Sequence, residues 1–337
     1  MIAILGGGTG GISLATYFQE KGIDVTVWNR THSKIKKIID EDNKILVKDY
    51  ESKKEKEIEI KKLTSDLKDT IQNNKIFFII TPGTAHKDIG RKIKEYINED
   101  KVVILNPGRT YGCKAFEEGL GSKKNLVRCY ETQTLLHACR KTNNILEVFG
   151  TKNEILYSSL EEKNEKDITK LEKIFPEMKY IDDYYTVTLN NIGAMFHPIP
   201  SILNISRIEN QEKFNHYSQG ISPIIANYIE NVDEERKELC EKLGADFISV
   251  SDWLKREYNT FGDNLYENLK TNEAYYPIGG PDSIDHRYIY DDILTGLVPL
   301  YKTGKKNDVE MKYTERFLKF SSLVMDYDFI NNGRDAL

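Results

Sequence analysis

The chain reads as an α/β protein, a doubly wound parallel sheet followed by an all-α second domain. Three observations predict this. The first thirty-odd residues, MIAILGGGTGGISLATYFQEKGIDVTVWNRT, run as strand, glycine turn, helix and strand. Short apolar runs that end in proline and glycine recur at Ile76–Ile80 and Val102–Leu105, as in strands buried on both faces. After about Tyr184 this alternation stops, and long helical patterns continue to Leu337. The expected division is therefore residues 1–183 and 184–337.

The opening turn carries the first chemistry. Ile2–Leu5 breaks at Gly6, Gly7, Gly8, Thr9, Gly10 and Gly11, and Gly6, Gly8 and Gly11 have the spacing of a dinucleotide fingerprint. Gly6 lets the chain turn off the strand, Gly8 lets backbone approach a pyrophosphate, and Gly11 lets the helix pack closely on the sheet. The first helical N–H groups, around Thr9 and Gly10, then point at the phosphates with the positive end of the helix dipole behind them. Context strengthens the motif, because a strand precedes it, Ile12–Lys21 has helical spacing and stops at Gly22, and Ile23–Trp28 completes a βαβ unit of ~30 residues. The expected domain is of Rossmann type.

The end of the second strand selects the cofactor. An acidic residue there would bind a ribose 2′-hydroxyl, but this chain has Asn29, Arg30 and Thr31, with Ser33 and Lys34 beyond. Arginine and hydroxyls suit a 2′-phosphate, so NADP is expected in preference to NAD. In an open parallel sheet ligands bind past the carboxyl ends of the strands, so Thr81 and Pro82, and the loop at Asn106, should face the nicotinamide half.

Composition bounds the alternatives. At 337 residues, 39% hydrophobic and 30% charged, the chain suits two soluble domains with separate cores. A net charge of −5 gives no electrostatic case for nucleic acid or an anionic membrane as partner. No stretch approaches the ~20 apolar residues of a membrane span, and the apolar start runs into glycine without a basic leader, so a cytoplasmic protein is expected. Cys113, Cys129, Cys139 and Cys240 lack metal-ligand spacing, and no metal site is expected. The oligomeric state stays open, a homodimer being compatible.

Along the rest of the first half, Ile58–Leu63 reads as a short alternating strand, Leu126–Gln133 as a further strand, Leu146–Ser159 as a hairpin around Gly150–Asn153, and Asp167–Phe175 as a helix stopped by Pro176. His86 reads as a capping or surface residue, His32, His216 and His286 as surface residues, and His137 and Arg140 as candidates to line the cofactor cleft.

Two interruptions of the helical half hold the catalytic candidates. Asn190 and His197 stand seven apart, on one face of a continuous helix, and Pro198 disfavours α geometry at His197, placing the imidazole where the helix breaks. The stretch Gly280-Pro281 to Asp291-Asp292 includes Arg287, which with Asp291 has the spacing of a plain helical ion pair.

Taken together, these segments resemble the octopine/opine dehydrogenase family. The similar features are the amino-terminal fingerprint, Leu105-Asn106-Pro107-Gly108-Arg109, Glu131-Thr132-Gln133-Thr134-Leu135 with Arg140, Phe196-His197-Pro198 with Leu203-Asn204, and Gly280-Pro281 leading to Arg287-Tyr288 and Asp291-Asp292. The resemblance implies an enzyme that reductively condenses an amino acid with a 2-oxo acid such as pyruvate, or runs the reverse oxidation. It implies that His197 is the catalytic histidine, Asp292 its aspartate partner and Arg287 the binder of a substrate carboxylate. Asp291 stands where the family commonly has a glutamate, which leaves open which aspartate partners the histidine. Asn190 and Asn191 are further candidates to hold substrate. The Asn-Arg-Thr stretch also resembles the NADP-selecting loop of 6-phosphogluconate dehydrogenases.

These residue types suit the chemistry. Imine formation needs a group that titrates near neutral pH, an orienting carboxylate fixes its tautomer, and a guanidinium binds carboxylates as a planar fork. The alternatives are another two-domain NADP-dependent reductase of a 2-oxo or 2-hydroxy acid, similar to ketopantoate reductases, and a non-catalytic NADP-binding sensor. Ketopantoate reductases commonly rely on a lysine where this chain has His197.

Overall fold

Residues Ile2–Leu5 (β1) are buried at all four positions, as a strand must be when both faces of its sheet are covered. The remaining strands in chain order are β2 (Val25–Trp28), β3 (Lys44–Asp49), β4 (Lys54–Glu59), β5 (Lys62–Thr64) and β6 (Ile76–Ile79). They are followed by β7 (Lys101–Leu105), β8 (Val127–Thr132), β9 (His137–Thr142), β10 (Ile145–Thr151), β11 (Ile155–Ser158) and β12 (Met178–Tyr180). The computed structural model describes residues 2–337.

The strands form two sheets, of order β12-β11-β8-β7-β6-β1-β2-β5 and β4-β3-β10-β9. In the larger sheet only the β11–β8 pairing is antiparallel. The chain leaves β1 towards β2 on one side and returns to β6 on the other, so the order reverses beside β1. That reversal is where a doubly wound sheet opens a crevice for ligand.

The smaller sheet has a physical reason. The helix Thr9–Glu20 is buried at eight consecutive residues, Gly11 to Phe18, so it has no solvated face. It touches β9, β10 and β4 of the smaller sheet, and one core unites Ile4, Ile12, Phe18 and Phe78 with Ile45, Leu146 and Val148.

Three sequence expectations change. The stretch Ile58–Leu63 is not one strand, because β4 ends at Glu59, the Ile60 side chain plugs the core, and β5 starts afresh at Lys62 in the other sheet. Leu146–Ser159 is not a hairpin either. Past a register shift between Val148 and Gly150, β10 stays paired with β9 as far as Thr151, and β11 instead joins β8 in the larger sheet. His86 lies at the start of the helix His86–Ile93 but is fully buried rather than at the surface.

The chain divides into two compact units. One comprises the residues up to Gly108 with Gly112–Tyr184, the other Arg109–Tyr111 with Tyr185–Leu337. Three residues of the amino-terminal half thus belong to the helical unit. Its longest helix, Pro223–Leu243, is capped by Ser222, whose hydroxyl accepts from the Ile225 N–H, and ends at Gly244 with φ +69°. No helix among the described residues is long and apolar enough to cross a membrane.

Candidate active site

In the first unit the glycines divide the work as their spacing suggests. Gly6 has φ +131°, and a Cβ there would lie 2.1 Å from the Ile80 carbonyl oxygen. A Cβ on Gly11 would lie 1.7 Å from the Gly6 carbonyl oxygen, so the helix can approach β1 only without one. At Gly8 a Cβ would meet nothing within 4 Å. The fold makes no demand there, and the open space over the helix N-terminus suits a pyrophosphate.

Asn29 supports this turn. Its Oδ1 accepts the Gly7 N–H at 3.0 Å and its Nδ2 donates to the Thr31 carbonyl at 2.8 Å. Arg30, Thr31, Ser33 and Lys34 are exposed. Thr81 and Pro82 follow β6, and Asn106 follows β7, its buried amide donating to Thr132 Oγ1 at 2.9 Å. Gly10, Asn106 and His137 line one small cavity, and His137 also pairs with Ser13 Oγ at 2.6 Å. Burial pushes the His137 imidazole down to about 4, so it stays neutral at physiological pH.

In the second unit the structure brings His197 and Asp292 together. One short helix ends at Phe196 and the next begins at Pro198, so His197 sits at the break, although its φ of −95° and ψ of −58° remain in the α region. The helix Arg287–Asp292 packs on Pro198–Leu203. Its last residue, fully buried Asp292, places Oδ2 2.9 Å from His197 Nδ1. A carboxylate can only accept, so Nδ1 carries the proton and Nε2 keeps its lone pair.

Three further groups shape this pair. The Tyr288 ring stacks on the imidazole with centroids 4.0 Å apart and planes 6° from parallel. Arg109 places Nη1 2.7 Å from Asp292 Oδ1 and Nη2 3.6 Å from Asp291 Oδ2. Asp292 Oδ1 makes no aligned hydrogen bond, so the Arg109 contact is an ion pair by distance. A π-helical turn, Ile293–Leu297, follows Asp292 at once, and a Cβ on its Gly296 would lie 2.6 Å from Ala194 Cβ. Such widened turns frequently accompany functional sites.

Charge follows from this packing. Burial lowers the proton affinity of His197, with Arg287 and Arg109 adding to it against the pull of Asp292. Burial alone would raise Asp292, but Arg109 foremost, then His197 and Arg287, hold its carboxyl below the usual range. The imidazole is therefore neutral and the carboxylate ionised near pH 7. His197 keeps 15% of its side chain exposed, enough to be reached.

Arg287 begins its helix, is exposed, and holds its guanidinium 5.3 Å from the Tyr288 ring centroid. Asn191 is buried, and its Nδ2 has no partner among the described residues. Asn190 is a correction. The helix Tyr184–Leu189 stops before it, so it shares no continuous face with His197, and its amide is already engaged. Nδ2 donates to the carbonyls of Thr186 and Asp246, while Oδ1 accepts from Arg236 Nη1 and the Ile248 N–H. His216 is likewise buried rather than solvated, its Nε2 donating to the Phe196 carbonyl at 3.0 Å. His286 is half-buried and caps the helix by accepting from the Tyr288 N–H at 3.2 Å.

Residues 180–325 match the family described as NAD/NADP octopine/nopaline dehydrogenase, alpha-helical domain. Residues 1–125 match NAD-dependent glycerol-3-phosphate dehydrogenase N-terminus. An opine dehydrogenase of Arthrobacter sp. (strain 1C) is 30% identical over 337 residues, covering 98% of this chain and 92% of that protein. The chain belongs to the opine dehydrogenase family. It is an opine dehydrogenase-like, NAD(P)-dependent oxidoreductase. The fold is shared with an octopine dehydrogenase solved with NADH and L-arginine, at TM-score 0.77 and 18% identity over 96% of this chain and 89% of that one. It is also shared with a yersinopine dehydrogenase bound to NADP+, at TM-score 0.76 and 13% identity over 98% and 91%.

Sequence reasoning assigned no role to Arg109, Tyr288 or Arg236. Arg109 and Tyr288 stood inside the quoted motifs. Arg236 had no local signal, since a buried arginine that donates to Asp233, Leu189, Asn190 and Ile248 is defined only by the fold.

Proposed function

We propose that the protein joins the amino group of an amino acid to a 2-oxo acid by NADPH-dependent reduction of their imine, forming a secondary amine, and catalyses the reverse oxidation. The observation that carries this reading is the buried His197–Asp292 pair, with Nδ1 occupied at 2.9 Å and Nε2 left to exchange a proton. The name of the Arthrobacter relative, an opine dehydrogenase, supports the reaction class.

In the condensing direction the amine adds to the oxo carbon, and His197 Nε2, once protonated, gives its proton to the departing hydroxyl of the carbinolamine, which leaves as water. Asp292 stabilises the imidazolium that exists before this transfer. In the oxidative direction neutral His197 takes a proton from the water that adds to the imine. Arg287 holds a substrate carboxylate through its planar fork, a task for which lysine has the wrong geometry. Asn191 Nδ2, buried and unpartnered among the described residues, supplies a further donor.

The dinucleotide fits the first unit, held by Gly6, Gly8, Thr9, Gly10 and Gly11 at the pyrophosphate and by Thr81, Pro82 and Asn106 beyond the strand ends. When bound, it supplies the hydride that reduces the imine carbon. Arg30, Thr31 and Lys34, exposed and with no acidic residue at the end of β2, support NADP over NAD, with Asn29 ordering their loop.

The deciding experiment screens amino acids with pyruvate and NADPH. Oxidation of NADPH that requires both substrates supports the reading, whereas oxidation with the oxo acid alone favours a simple 2-oxo acid reductase. His197→Ala lowers turnover by ~10²–10⁴-fold while NADPH binding survives.

A further inference from the structure

We propose that Arg109 is a positioning residue of this reaction: paired with the Asp292 oxygen that His197 does not use, it fixes that carboxylate and sets the pH range over which His197 exchanges its proton. The inference rests on the reading of His197 as proton carrier.

Arg109 comes from the amino-terminal half of the sequence but is built into the helical unit with its two neighbours. Each residue of Arg109–Tyr111 is bonded there. The Arg109 carbonyl accepts from Thr188 Oγ1 at 3.5 Å, and the Thr110 N–H donates to the Thr295 carbonyl at 3.0 Å. The Tyr111 N–H donates to Thr188 Oγ1 at 2.6 Å, and Arg334 donates to the Thr110 carbonyl at 2.5 Å. Arg109 and Tyr111 adopt φ of +63° and +61°, a region L side chains disfavour and keep only where the surroundings impose it. Room for the guanidinium comes from Gly193, where a Cβ would lie 3.0 Å from Arg109 Nη1 and 3.3 Å from His197 Cε1. A strained strap, bonded at each residue and ending in a buried cation beside a buried carboxylate, is a built feature.

Its effect on His197 follows from the charges around that ring. Asp292, Arg287, Tyr288 and His286 face it from one helix and its lead-in, His216 from the segment beside it, and Arg109 from the strap. Asp292 is the anion in direct contact and draws a proton onto His197. Burial first, then Arg287 and Arg109, offset that pull and leave the imidazole neutral at physiological pH. Without the guanidinium, burial and Arg287 still oppose Asp292, but less opposes its pull, and His197 holds its proton to higher pH.

The test compares pH profiles of kcat for amine oxidation in the full-length enzyme with NADP+, using the product made from pyruvate and the amino acid that couples with it. Arg109→Gln is expected to move the acidic limb up by about one unit, in keeping with a charge removed at close range, and to lower kcat ~10-fold or more with KM for NADP+ unchanged. Arg109→Lys keeps the charge and leaves the limb in place while kcat falls several-fold, because one ammonium cannot stand against both Asp292 and Asp291 as Nη1 and Nη2 do. In an Asp292→Asn background Arg109→Gln adds less than about threefold, since its target is gone. A limb that stays put in Arg109→Gln, or a full effect retained on Asp292→Asn, overturns the proposal. Where Arg109→Gln does not fold, Arg109→Lys decides, and an unchanged kcat overturns it. Substantial turnover in His197→Ala would instead remove the underlying reading of His197, whereas an inactive His197→Ala beside an unshifted Arg109→Gln removes only the role of Arg109.

Discussion

Asp292→Asn tests the dyad most directly, because it keeps the shape and changes one acceptor into a donor. The new amide must choose its orientation. Arg109 Nη1 stands 2.7 Å from Oδ1, too close for an –NH2 group to face a guanidinium, so the amide oxygen turns towards Arg109. The –NH2 is then left facing His197 Nδ1 at 2.9 Å. That nitrogen must accept, the ring proton moves to Nε2, and the lone pair needed to take a substrate proton disappears. Loss of an orienting carboxylate by the same amide swap costs ~10⁴ in kcat in the Ser-His-Asp template. We expect ~10³–10⁴ here, which is ~4–5.5 kcal/mol of barrier. Stripping a buried cation of its partner destabilises by ~3–5 kcal/mol, but Asp291 lies 3.6 Å from Arg109 and remains as a counter-charge, so the variant should fold with a smaller loss. Steady-state kcat in both directions, with KM for NADPH, reads the result. Turnover within tenfold of the parent would refute the tautomer argument, as would a loss confined to cofactor affinity.

Gly8→Val and Gly11→Ala should separate binding from folding: the first keeps a native melting curve and loses NADPH affinity ~100-fold or more, because its side chain enters the space left for phosphate, while the second fails to fold on a contact of 1.7 Å. Equal melting temperatures for the two would contradict this division. Arg30→Glu should shift the NADP over NAD preference towards NAD by ~10-fold or more, through lost pairing and new repulsion at the 2′-phosphate, and ratios of kcat/KM check it. His216, pushed down to about 3 by burial, binds no proton in the fold until far below the ~6.5 of the unfolded chain. Its contribution to stability is therefore complete above ~6.5 and falls as pH drops towards 3, by ~2 kcal/mol at pH 5. His216→Gln should flatten the fall in Tm between pH 7 and 5, and an unaltered slope would remove His216 from the explanation.

The larger sheet was legible because each of its central strands is a buried apolar run closed by a turn, a signal that needs no knowledge of the partner strand. The smaller sheet was not. Its strand β4, KEKEIE, is exposed at every position but Ile58, and β9 has no fully buried residue, so neither carries the alternation that marks a half-buried strand. Their role becomes visible only in what they cover. The helix Thr9–Glu20 is apolar around its circumference and needs a second surface, and the sequence states that need in ISLATYF without saying which residues meet it.

The site divides along the same line. His197, Arg287 and Asp292 could be singled out because the motifs that hold them resemble those of the opine dehydrogenase family, while the residues by themselves marked only the proline after His197 and the ion-pair spacing of Arg287 and Asp291. The choice between Asp291 and Asp292 could not be made from the sequence, since neighbouring helical positions point about 100° apart and only the packed partner says which one faces inward. Asn190 misled for the opposite reason: seven residues separate it from His197, and a continuous helix would align them, but the helix stops at Leu189 because Arg236 draws the Leu189 carbonyl and the Asn190 amide towards itself. Arg109 shows the limit most clearly. Its meaning lies in a cation reaching a carboxylate from the far side of the domain boundary in sequence, and only the exchange of three residues between the two units creates it. A substitution at Arg109 should therefore change the chemistry of a histidine that no local pattern connects to it.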